Sequence, residues 1–472
     1  MKLGESETGS IKMSYAPLLV IIAGMMMVIL DSTIVNVAVP RLVELFGTNL
    51  RIFQWTITGY LLALSAVIPL AGWMTDTYGA KRIFLSTIGM FTLGSALCSM
   101  AQTTEQLILF RVIQGLGGGM VTPIGIAMVF KLAPPERRGS VMGMLGIPML
   151  LAPALGPIMS GWLVQNVSWH WIFLINVPIG VITILFGIKY FPHSTRQQSS
   201  QLDILGMILA PVSFVLLVYG VNEGGVNGSS TAVTVIVIGL TTLLLFIIVE
   251  LRHKNPLLEL SVFKSSDFTR SIILLWIIQV ILFSSMLLIP MYLQNIVELT
   301  PYETGVILLS HALASGITVP LGGRLFDKFG ARPLVLIGLC IIFGSLFFLS
   351  SITTETSLGL MIACLILLGL GTGLSMMPLN THILNSVQQR LVSRVTPLTT
   401  SSQQIVISFA VVALTGYLTS RVESHGATLD RMHAGVRGFG DTFFLLTCMA
   451  FLCLMLSLTL RKPRPLKNEE KV

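Results

Sequence analysis

Long apolar segments recur along the whole chain, and they constrain its fold more than any other feature. The first, residues 16–39, follows a polar N-terminus and is long enough to cross the hydrocarbon core of a bilayer as a helix. Of the 472 residues, 53% are hydrophobic and 11% are charged, less than half of the roughly 25% that a soluble domain carries. Because backbone groups in lipid must be satisfied within each segment, these runs predict membrane-spanning α-helices.

Windows of roughly 20 apolar residues predict fourteen spans. The thirteenth, near residues 398–419, is the least apolar because hydroxyl and amide side chains crowd its first turns, so thirteen spans remain an alternative. Asp31 interrupts the first span and no small-residue cleavage site is present, so we expect this span to be retained. The five cysteines lie inside apolar segments without metal-ligand spacing, which indicates small packing residues.

The distribution of Lys and Arg predicts the orientation. With the N-terminus inside, 23 of the 29 Lys and Arg residues fall in inner segments, five fall in outer loops, and Arg111 lies within a span. This asymmetry predicts an even number of spans, both termini in the cytoplasm and a multi-pass protein of the plasma membrane. The net charge of +8 is therefore explained by topology and does not indicate nucleic-acid binding.

Two inner loops repeat the pattern G-x-x-x-D-x-x-G-A-basic. Residues 72–82 join spans two and three, and residues 323–333 join spans ten and eleven. Glycines permit tight turns, and the aspartate can cap a helix or pair with an arginine in a contact that changes as two halves move. We predict a six-helix bundle in residues 1–195, an inserted helix pair in 196–265, and a second six-helix bundle with a cytoplasmic tail in 266–472, around a central site.

Four further segments carry a family resemblance. Residues 30–40 read LDSTIVNVAVP, residues 111–119 RVIQGLGGG, residues 152–161 APALGPIMSG and residues 168–180 SWHWIFLINVPIG. With the two loops, they resemble the motifs of the major facilitator superfamily and of its fourteen-span drug:proton antiporters, although Ser160 stands where a glycine is more usual. The resemblance covers nearly the whole chain and is less distinctive beyond Gln294. It implies an all-α fold of 6+2+6 helices and an alternating-access, proton-coupled exporter of amphipathic or cationic drugs.

Asp31 is the acidic residue that we place deep inside a span, and it is the leading candidate for proton coupling. A carboxylate in hydrocarbon is costly, so it indicates a functional site. Burial favours its neutral form and a nearby cation favours its charged form, so a carboxyl group poised between them can exchange a proton for a cationic or polar substrate. The structural alternative is an aspartate bonded to the backbone or to Asn36.

Arg111 is expected to lie close to Asp31. At 1.5 Å per residue, Asp31 lies roughly 12 Å and Arg111 roughly 8 Å below the outer ends of their helices. In the resembled superfamily the first and fourth helices both line the central cavity, so we predict that Arg111 tunes proton binding at Asp31 and that Gln114 shares its helix face. The alternative is that Arg111 reaches the outer surface.

Further candidates come from residue type and from the resemblance. His311, in the tenth span, titrates near neutrality and is a candidate for the proton path. Amphipathic cations suit aromatic and amide side chains, although each such residue equally fits an interfacial anchor or packing role. The candidate substrate-binding residues are Asp31, Trp55, Tyr60, Gln114, Tyr292, Gln294 and Gln404. The candidate conformational residues are Gly72, Asp76, Gly79, Lys81, Arg82, Gly156, Pro157, Gly161, Asp327 and Arg332.

No nucleotide-binding loop, zinc motif or serine elbow occurs in the sequence, so we expect no enzymatic activity and no cofactor, with the proton gradient as the energy source. The expected partners are small-molecule substrates, protons and membrane lipids, and the protein is expected to act as a monomer. Two alternatives stay open: the same fold serving one natural substrate, as a metabolite or lipid exporter or an uptake permease, and a membrane enzyme or receptor. The outer segment 421–440 reads as a gate, a partner site or a connector.

Overall fold

The computed structural model describes residues 15–192, 203–227, 230–253, 255–353, 356–427 and 429–460. Within these ranges the chain forms helices and no β-strand. Numbered in chain order, the long helices are α1 Ala16–Leu45, α2 Leu50–Tyr78, α3 Ala80–Ser99, α4 Thr104–Leu132, α5 Arg138–Asn166, α6 Trp171–Tyr190, α7 Ile204–Asn227, α8 Ser230–Arg252, α9 Ser266–Asn295, α10 Pro301–Phe329, α11 Ala331–Ser350, α12 Leu358–Asn385, α13 Val392–Gly426 and α14 Arg431–Ser457.

Thirteen of these helices are long and apolar enough to cross a membrane, and α5 makes a fourteenth when its bent segments are counted as one span. The segments Pro135–Pro153 and Ile158–Val164 meet at 46°, with proline at 153 and 157. Proline lacks a backbone N–H and kinks a helix, which explains the bend. The predicted fourteen-span, all-α fold is confirmed over the described residues.

Breaks within two other helices also follow from local sequence. In α2, Asn49 caps the short helix Leu50–Phe53 by accepting a hydrogen bond from the N–H of Ile52 at 2.8 Å, and a 3₁₀ turn at Ile68–Leu70 contains a proline. In α6, a break separates Trp171–Leu174 from Asn176–Tyr190. Each of these two helices still counts as one span despite its break.

Helix packing repeats between the two halves of the chain. A Cβ on Gly115 of α4 would lie 2.6 Å from the carbonyl oxygen of Tyr60 on α2. A Cβ on Gly369 of α12 would likewise meet the carbonyl oxygen of His311 on α10. Tyr60 and His311 are 251 positions apart, the same spacing as the two loop aspartates. The internal repeat seen in the loops therefore extends to helix packing, while the exact domain boundaries stay a prediction.

The helices α7 and α8 pack as an antiparallel pair, and α7 also contacts α2 and α13. Phe214 and Val218 of α7 face Ser65 of α2 and Gln404 of α13 across a small gap. The inserted pair therefore touches one helix from each half of the chain.

The outer segment 421–440 is helical for most of its length. Helix α13 runs to Gly426 and α14 begins at Arg431, so four residues lie between them. Charge lowers the hydropathy of this stretch without interrupting the helices. Asp441 of α14 accepts hydrogen bonds from Arg421 at 2.6 Å and His425 at 2.8 Å, which ties the two helices together.

Candidate functional site

Asp31 lies at the centre of a buried hydrogen-bond network formed by α1, α4 and α6. Its Oδ2 accepts a hydrogen bond from Nη1 of Arg111 at 2.6 Å. Its Oδ1 accepts bonds from Nε2 of Gln114 and Nδ2 of Asn176, both at 2.8 Å. All four side chains are at most 1% exposed. Asp31 and Arg111 are therefore in contact as predicted, Gln114 on the same face of α4 bonds to both, and Arg111 does not reach the outer surface.

Arg111 makes further contacts that hold its charge in place. Its guanidinium carbon lies 4.0 Å from the ring centroid of Tyr60, within cation–π range, and Nη1 also donates to Oε1 of Gln114 at 2.6 Å. Nε donates to the carbonyl oxygen of Thr56 at 3.4 Å. A buried charge is tolerated only when it is paired and hydrogen-bonded, and these contacts meet that requirement.

Glycines explain why α4 can place these side chains so deeply. Gly115 brings α4 against the backbone of α2 at Tyr60. Gly94 does the same for α3, because a Cβ there would lie 2.6 Å from the Cα of Gln114. At this short separation Nε2 of Gln114 also donates to Oγ of Ser95 on α3 at 2.6 Å. The glycines thus allow the helices to approach closely enough for these polar side chains to bond to each other.

Two polar atoms at the edge of the network have no hydrogen-bond partner among the described residues. They are the hydroxyl oxygen of Tyr60 and Oδ1 of Asn176, both on buried side chains. Buried polar atoms are normally bonded, so each of these is available to a proton carrier or a polar group that enters the site.

Asn176, Ser95 and Thr56 also belong to the site, although they were not among the candidates predicted from the sequence. Asn176 stands in the motif of residues 168–180 as the polar residue of an apolar run, which was the available signal. Ser95 and Thr56 carried no such signal, because small hydroxyl residues occur throughout these helices and Thr56 contributes only its backbone oxygen.

Three of the candidate substrate-binding residues lie away from Asp31. Trp55 is 42% exposed and stacks on Tyr219 of α7 at 5.9 Å between ring centroids. Tyr292 is buried and donates to the carbonyl oxygen of Thr353 at 3.4 Å. Gln294 is exposed. The structure therefore does not bring these three side chains into one site with Asp31, and their substrate role stays a prediction.

His311 occupies the position in the second half that Tyr60 occupies in the first. It is 3% exposed, and its Nε2 has no hydrogen-bond partner within the described ranges. By the alignment of Gly115 with Gly369, the positions of Arg111 and Gln114 correspond to Leu365 and Leu368, both fully buried. The second half thus has apolar residues where the first half has its ion pair, and the proton-path role of His311 stays a prediction.

A cavity of about 100 Å³ lies between the two halves, bounded by α4, α5, α12 and α13. It is lined by methionines, aliphatic residues, threonines and amides: Thr122, Ile126, Met142, Met149, Met376, Met377, Asn380, Ile383, Leu384, Thr399, Thr400 and Gln403. Neither Asp31 nor any other charged residue is among these lining residues of the described chain. Gln404 borders the separate gap between α2, α7 and α13.

The first repeated loop contacts the start of α13 in the other half. Oδ1 of Asp76 accepts from Oγ of Ser393 at 2.7 Å, and Oδ2 accepts from Nε of Arg394 at 3.0 Å. Gly72 makes this approach feasible, because a Cβ there would lie 2.7 Å from the carbonyl oxygen of Ser393. The carboxylate thus compensates the positive N-terminal end of α13.

The second repeated loop mirrors this contact at the start of α5. Oδ1 of Asp327 accepts from the N–H of Gly139 at 2.7 Å, and Oδ2 accepts from the N–H of Ser140 at 2.9 Å and from the Ser140 hydroxyl. We call the two contacts, of Asp76 with α13 and of Asp327 with α5, the loop clamps. They close the same end of the bundle, which we call the loop end.

The remaining residues of the loop motif shape the turns. Gly79 and Gly330 have φ of +90° and +77°, a region that favours glycine, and each ends one helix and begins the next. Lys81 donates through Nζ to two carbonyl oxygens at the C-terminal end of α6, at 2.8 and 2.9 Å. Arg82 and Arg332 are exposed.

Along α5, Gly156 packs directly on the side chain of Thr33 of α1, so a Cβ there would collide with it. Gly161 has open space where a Cβ would lie. The side chain of Pro157 lies outside the described residues. Packing therefore explains why residue 156 is a glycine, and it does not explain the glycine at 161.

Comparisons with known proteins agree with this architecture. The model of the Major Facilitator Superfamily matches residues 21–411. The uncharacterized MFS-type transporter YhcA of Bacillus subtilis (strain 168) is 36% identical over 86% of this chain and 77% of its own length. A multidrug resistance protein B homolog of Mycobacterium tuberculosis (strain H37Rv) is 33% identical over 82% of this chain and 73% of its own. The lincomycin resistance protein LmrB of Listeria innocua is 31% identical over 92% and 94%.

Solved structures show the same fold at low sequence identity. The proton:xylose symporter XylE aligns with a TM-score of 0.65 and 13% identity, covering 96% of both chains. The human organic anion transporter MFSD10 aligns with a TM-score of 0.66 and 14% identity, covering 92% of this chain and 99% of its own. From the family match, the identities and the shared fold, this chain is a multi-pass transporter that belongs to the major facilitator superfamily.

Proposed function

We propose that this protein is a proton-coupled exporter of amphipathic or cationic drugs, with Asp31 as the coupling carboxyl group. The observation that carries the proposal is the buried pair of Asp31 with Arg111, completed by Gln114 and Asn176. The names of the relatives, multidrug resistance and lincomycin resistance proteins, support drugs as the cargo.

Proton binding would rearrange this network. In the present state the Asp31 carboxylate accepts from three side chains and balances the charge of Arg111. A proton on Asp31 removes that charge, so Arg111 loses its ionic partner and keeps its contacts with Tyr60, Gln114 and the carbonyl oxygen of Thr56. Since the three donors sit on α4 and α6, protonation shifts these helices relative to α1. A proton thereby selects between conformations instead of acting only locally.

Alternating access follows from the loop clamps. With the orientation predicted by the basic residues, the loop end faces the cytoplasm, so the present structure is closed on that side. Opening toward the cytoplasm requires Asp76 to release Arg394 and Asp327 to release the start of α5. In the export cycle, a proton enters from outside as cargo leaves, and the clamps then open to release the proton and admit new cargo.

The lining of the cavity between the two halves suits cargo of varied shape, although at about 100 Å³ the cavity must widen to hold a drug-sized molecule. Its methionines are flexible and polarizable, and its amides and threonines offer hydrogen bonds. Because Asp31 does not line this cavity, we infer that proton and cargo occupy separate sites and are coupled through helix movement. This replaces the simpler scheme in which the cargo displaces the proton from the same carboxyl group.

Dye efflux in everted membrane vesicles tests the function. We expect uptake of a cationic dye into vesicles when a pH gradient is imposed, and loss of that uptake when the gradient is collapsed. A vesicle preparation with Glu423→Gln, a change at an exposed carboxyl group, is the matched control for expression. Uptake of a single metabolite with no effect of any dye or drug would favour the alternative of one natural substrate.

A further inference from the structure

A pair of carboxyl groups is buried at the loop end of the inserted helix pair, apart from the Asp31 network. Asp203 immediately precedes α7 and is 4% exposed, and Glu250 lies in the last turn of α8 and is 2% exposed. The two carboxyl groups lie next to each other, since Oδ2 of Asp203 and Oε2 of Glu250 both lie within 3.0 Å of where a Cβ on Gly206 would stand. Both residues sit at span ends in the sequence, so the apolar pattern did not distinguish them from ordinary loop acids.

Each carboxyl group uses one oxygen to hold the backbone. Oδ1 of Asp203 accepts from the N–H of Gly206 at 2.9 Å, as the N-cap of α7. Oε1 of Glu250 accepts from the N–H of Leu258, in the linker that leads toward α9. Leu258 is 1% exposed, so Glu250 fixes a buried point of that linker.

The other two oxygens have no hydrogen-bond donor among the described residues. They are Oδ2 of Asp203 and Oε2 of Glu250. Both lie against Gly206, where a Cβ would contact Oδ2 of Asp203 and would lie 3.0 Å from Oε2 of Glu250. Two unpartnered carboxyl oxygens therefore share one small buried space.

No cation neutralises the pair within the part of the chain that the structure describes, and Lys254 lies outside it. His253 is engaged with the carbonyl oxygen of Asn255 at 3.0 Å. Arg394, on the helix α13 that packs against α7, is bonded to Asp76. The other ionisable groups on the adjoining segments are Arg252, Glu259, Lys264, Asp267 and Arg270, and none of them forms an ion pair with either carboxyl group.

Two carboxylates in contact cannot both stay charged without a compensating cation, because burial and mutual repulsion oppose it. One proton between them creates an O–H donor for the opposite carboxylate oxygen and satisfies both unpartnered atoms. We propose that Asp203 and Glu250 form a second proton-binding site, which holds one proton between Oδ2 of Asp203 and Oε2 of Glu250.

The position of this site gives it a conformational consequence. The helix that Asp203 caps, α7, packs against α2 of the first half and α13 of the second. Glu250 ties α8 to the linker of the second half through Leu258. Loss of the shared proton places two like charges face to face and loosens this attachment. The pair therefore responds to proton concentration at the loop end, and this does not depend on the role of Asp31.

Infrared difference spectroscopy on the purified full-length protein in lipid tests the site. The C=O stretch of a protonated carboxyl group reports the shared proton directly, and exchange into deuterated buffer identifies it. At neutral pH we expect this signal in the wild type, and its loss in Glu250→Gln and in Asp203→Asn. Both substitutions keep a side-chain oxygen for the backbone bonds, and circular dichroism checks that each variant is folded.

Two further variants separate this proposal from the function of Asp31. The signal should persist in Asp31→Asn, and it should persist in Glu259→Gln, which changes a carboxyl group of the adjacent linker that is bonded to Ser261. A wild type without the signal, or a signal that survives in both Glu250→Gln and Asp203→Asn, overturns the shared proton. Neither result depends on measuring transport.

Discussion

At the scale of single residues, the site depends on how a charge is kept inside a membrane protein. Asp31 and Arg111 are buried together, and each has further partners: Gln114 and Asn176 for the carboxylate, and the ring of Tyr60 for the guanidinium. Breaking a buried pair by removing one partner leaves an uncompensated charge. Proton binding on Asp31 has the same effect without removing an atom of the protein, because it leaves the guanidinium of Arg111 without its anion.

Arg111→Ala should therefore affect both stability and coupling. Removal of the guanidinium leaves the Asp31 carboxylate without its cation, which costs roughly 3–5 kcal/mol when the pair is buried. Because Asp31 then binds its proton without a neighbouring cation, the pH profile of gradient-driven transport should shift. Thermal unfolding in detergent and transport at several pH values measure the two effects.

The double variant Asp31→Asn with Arg111→Ala is the matched control. The stability losses caused by substituting two residues in direct contact do not add up. The double variant should therefore lose less stability than the sum of the losses of the two single variants. Additive losses together with an unchanged pH profile of Arg111→Ala would contradict the pairing as a functional unit.

The contact between Asp31 and Arg111 could be predicted from the sequence for two reasons. Helical rise and span direction give both residues a similar depth, and the family resemblance implies that the first and fourth helices both line the central cavity. Asn176 could not be found as a third donor, since this requires knowing which face of α6 turns toward α1. The pairing of Asp203 with Glu250 could not be predicted for a related reason. They are 47 positions apart and meet only through the packing of α7 on α8, which no local pattern encodes.

At the scale of helices, glycines determine how closely α4 approaches its neighbours. The run that begins at Gly115 lets α4 contact the backbones of α2 and α3, and Gly369 begins the equivalent contact of α12. Side-chain atoms at these positions would separate the helices. The position of Arg111 relative to Asp31 is then a consequence of helix packing.

Gly115→Ala tests this dependence. The new Cβ would lie 2.6 Å from the carbonyl oxygen of Tyr60, so α4 and α2 must move apart. Overpacking of this kind costs typically 1–3 kcal/mol, and transport should fall as the ion pair is displaced. Gly344→Ala is the control, because no atom lies within 4 Å of its added Cβ, and alanine is favoured over glycine in a helix by about 1 kcal/mol. Equal melting temperatures for the two variants would contradict the packing account.

The spans themselves were predictable because length and hydropathy in lipid leave few alternatives to helix. The weakly apolar thirteenth span is a single long helix, Val392–Gly426, since internal hydrogen bonding continues through its polar start. The segment 421–440 is mostly helical although its charge lowers its hydropathy. Hydropathy marks where lipid ends, whereas the helices continue beyond that limit and are joined there by Asp441 with Arg421.

At the scale of the whole molecule, the two loop clamps and the inserted pair connect the halves. Each clamp joins an aspartate of one half to a helix start of the other, and the two are related by the internal repeat. The clamps lie at the loop end, while the Asp31 network lies within the first half. The helix α2 contacts both, because its Thr56 and Tyr60 contact Arg111 and its Asp76 forms the first clamp.

Asp327→Asn should shift the protein toward opening at the loop end. An asparagine cannot accept both backbone bonds at the start of α5, and hydrogen bonds to a charged group contribute roughly 1.5–3 kcal/mol. This is enough to change an open-to-closed ratio by about tenfold or more. We expect the cysteine of an Asn380→Cys substitution, in the cavity wall, to react faster with a thiol reagent added from the cytoplasmic side when Asp327→Asn is present than when it is absent.

The labelling requires a background without the five native cysteines, and Asp430→Asn at the far end of the molecule is its control. An unchanged labelling rate in Asp327→Asn would show that this clamp does not hold the closed state.

The most direct test of the central claim compares two modes of transport in the Asp31→Asn variant. Gradient-driven accumulation of cargo requires a proton to bind and leave, whereas exchange of labelled for unlabelled cargo at equal pH requires only cargo binding and helix movement. In reconstituted vesicles we expect Asp31→Asn to lose gradient-driven accumulation and to retain exchange. Accumulation that survives at the wild-type level in Asp31→Asn would contradict the assignment of Asp31 as the coupling carboxyl group.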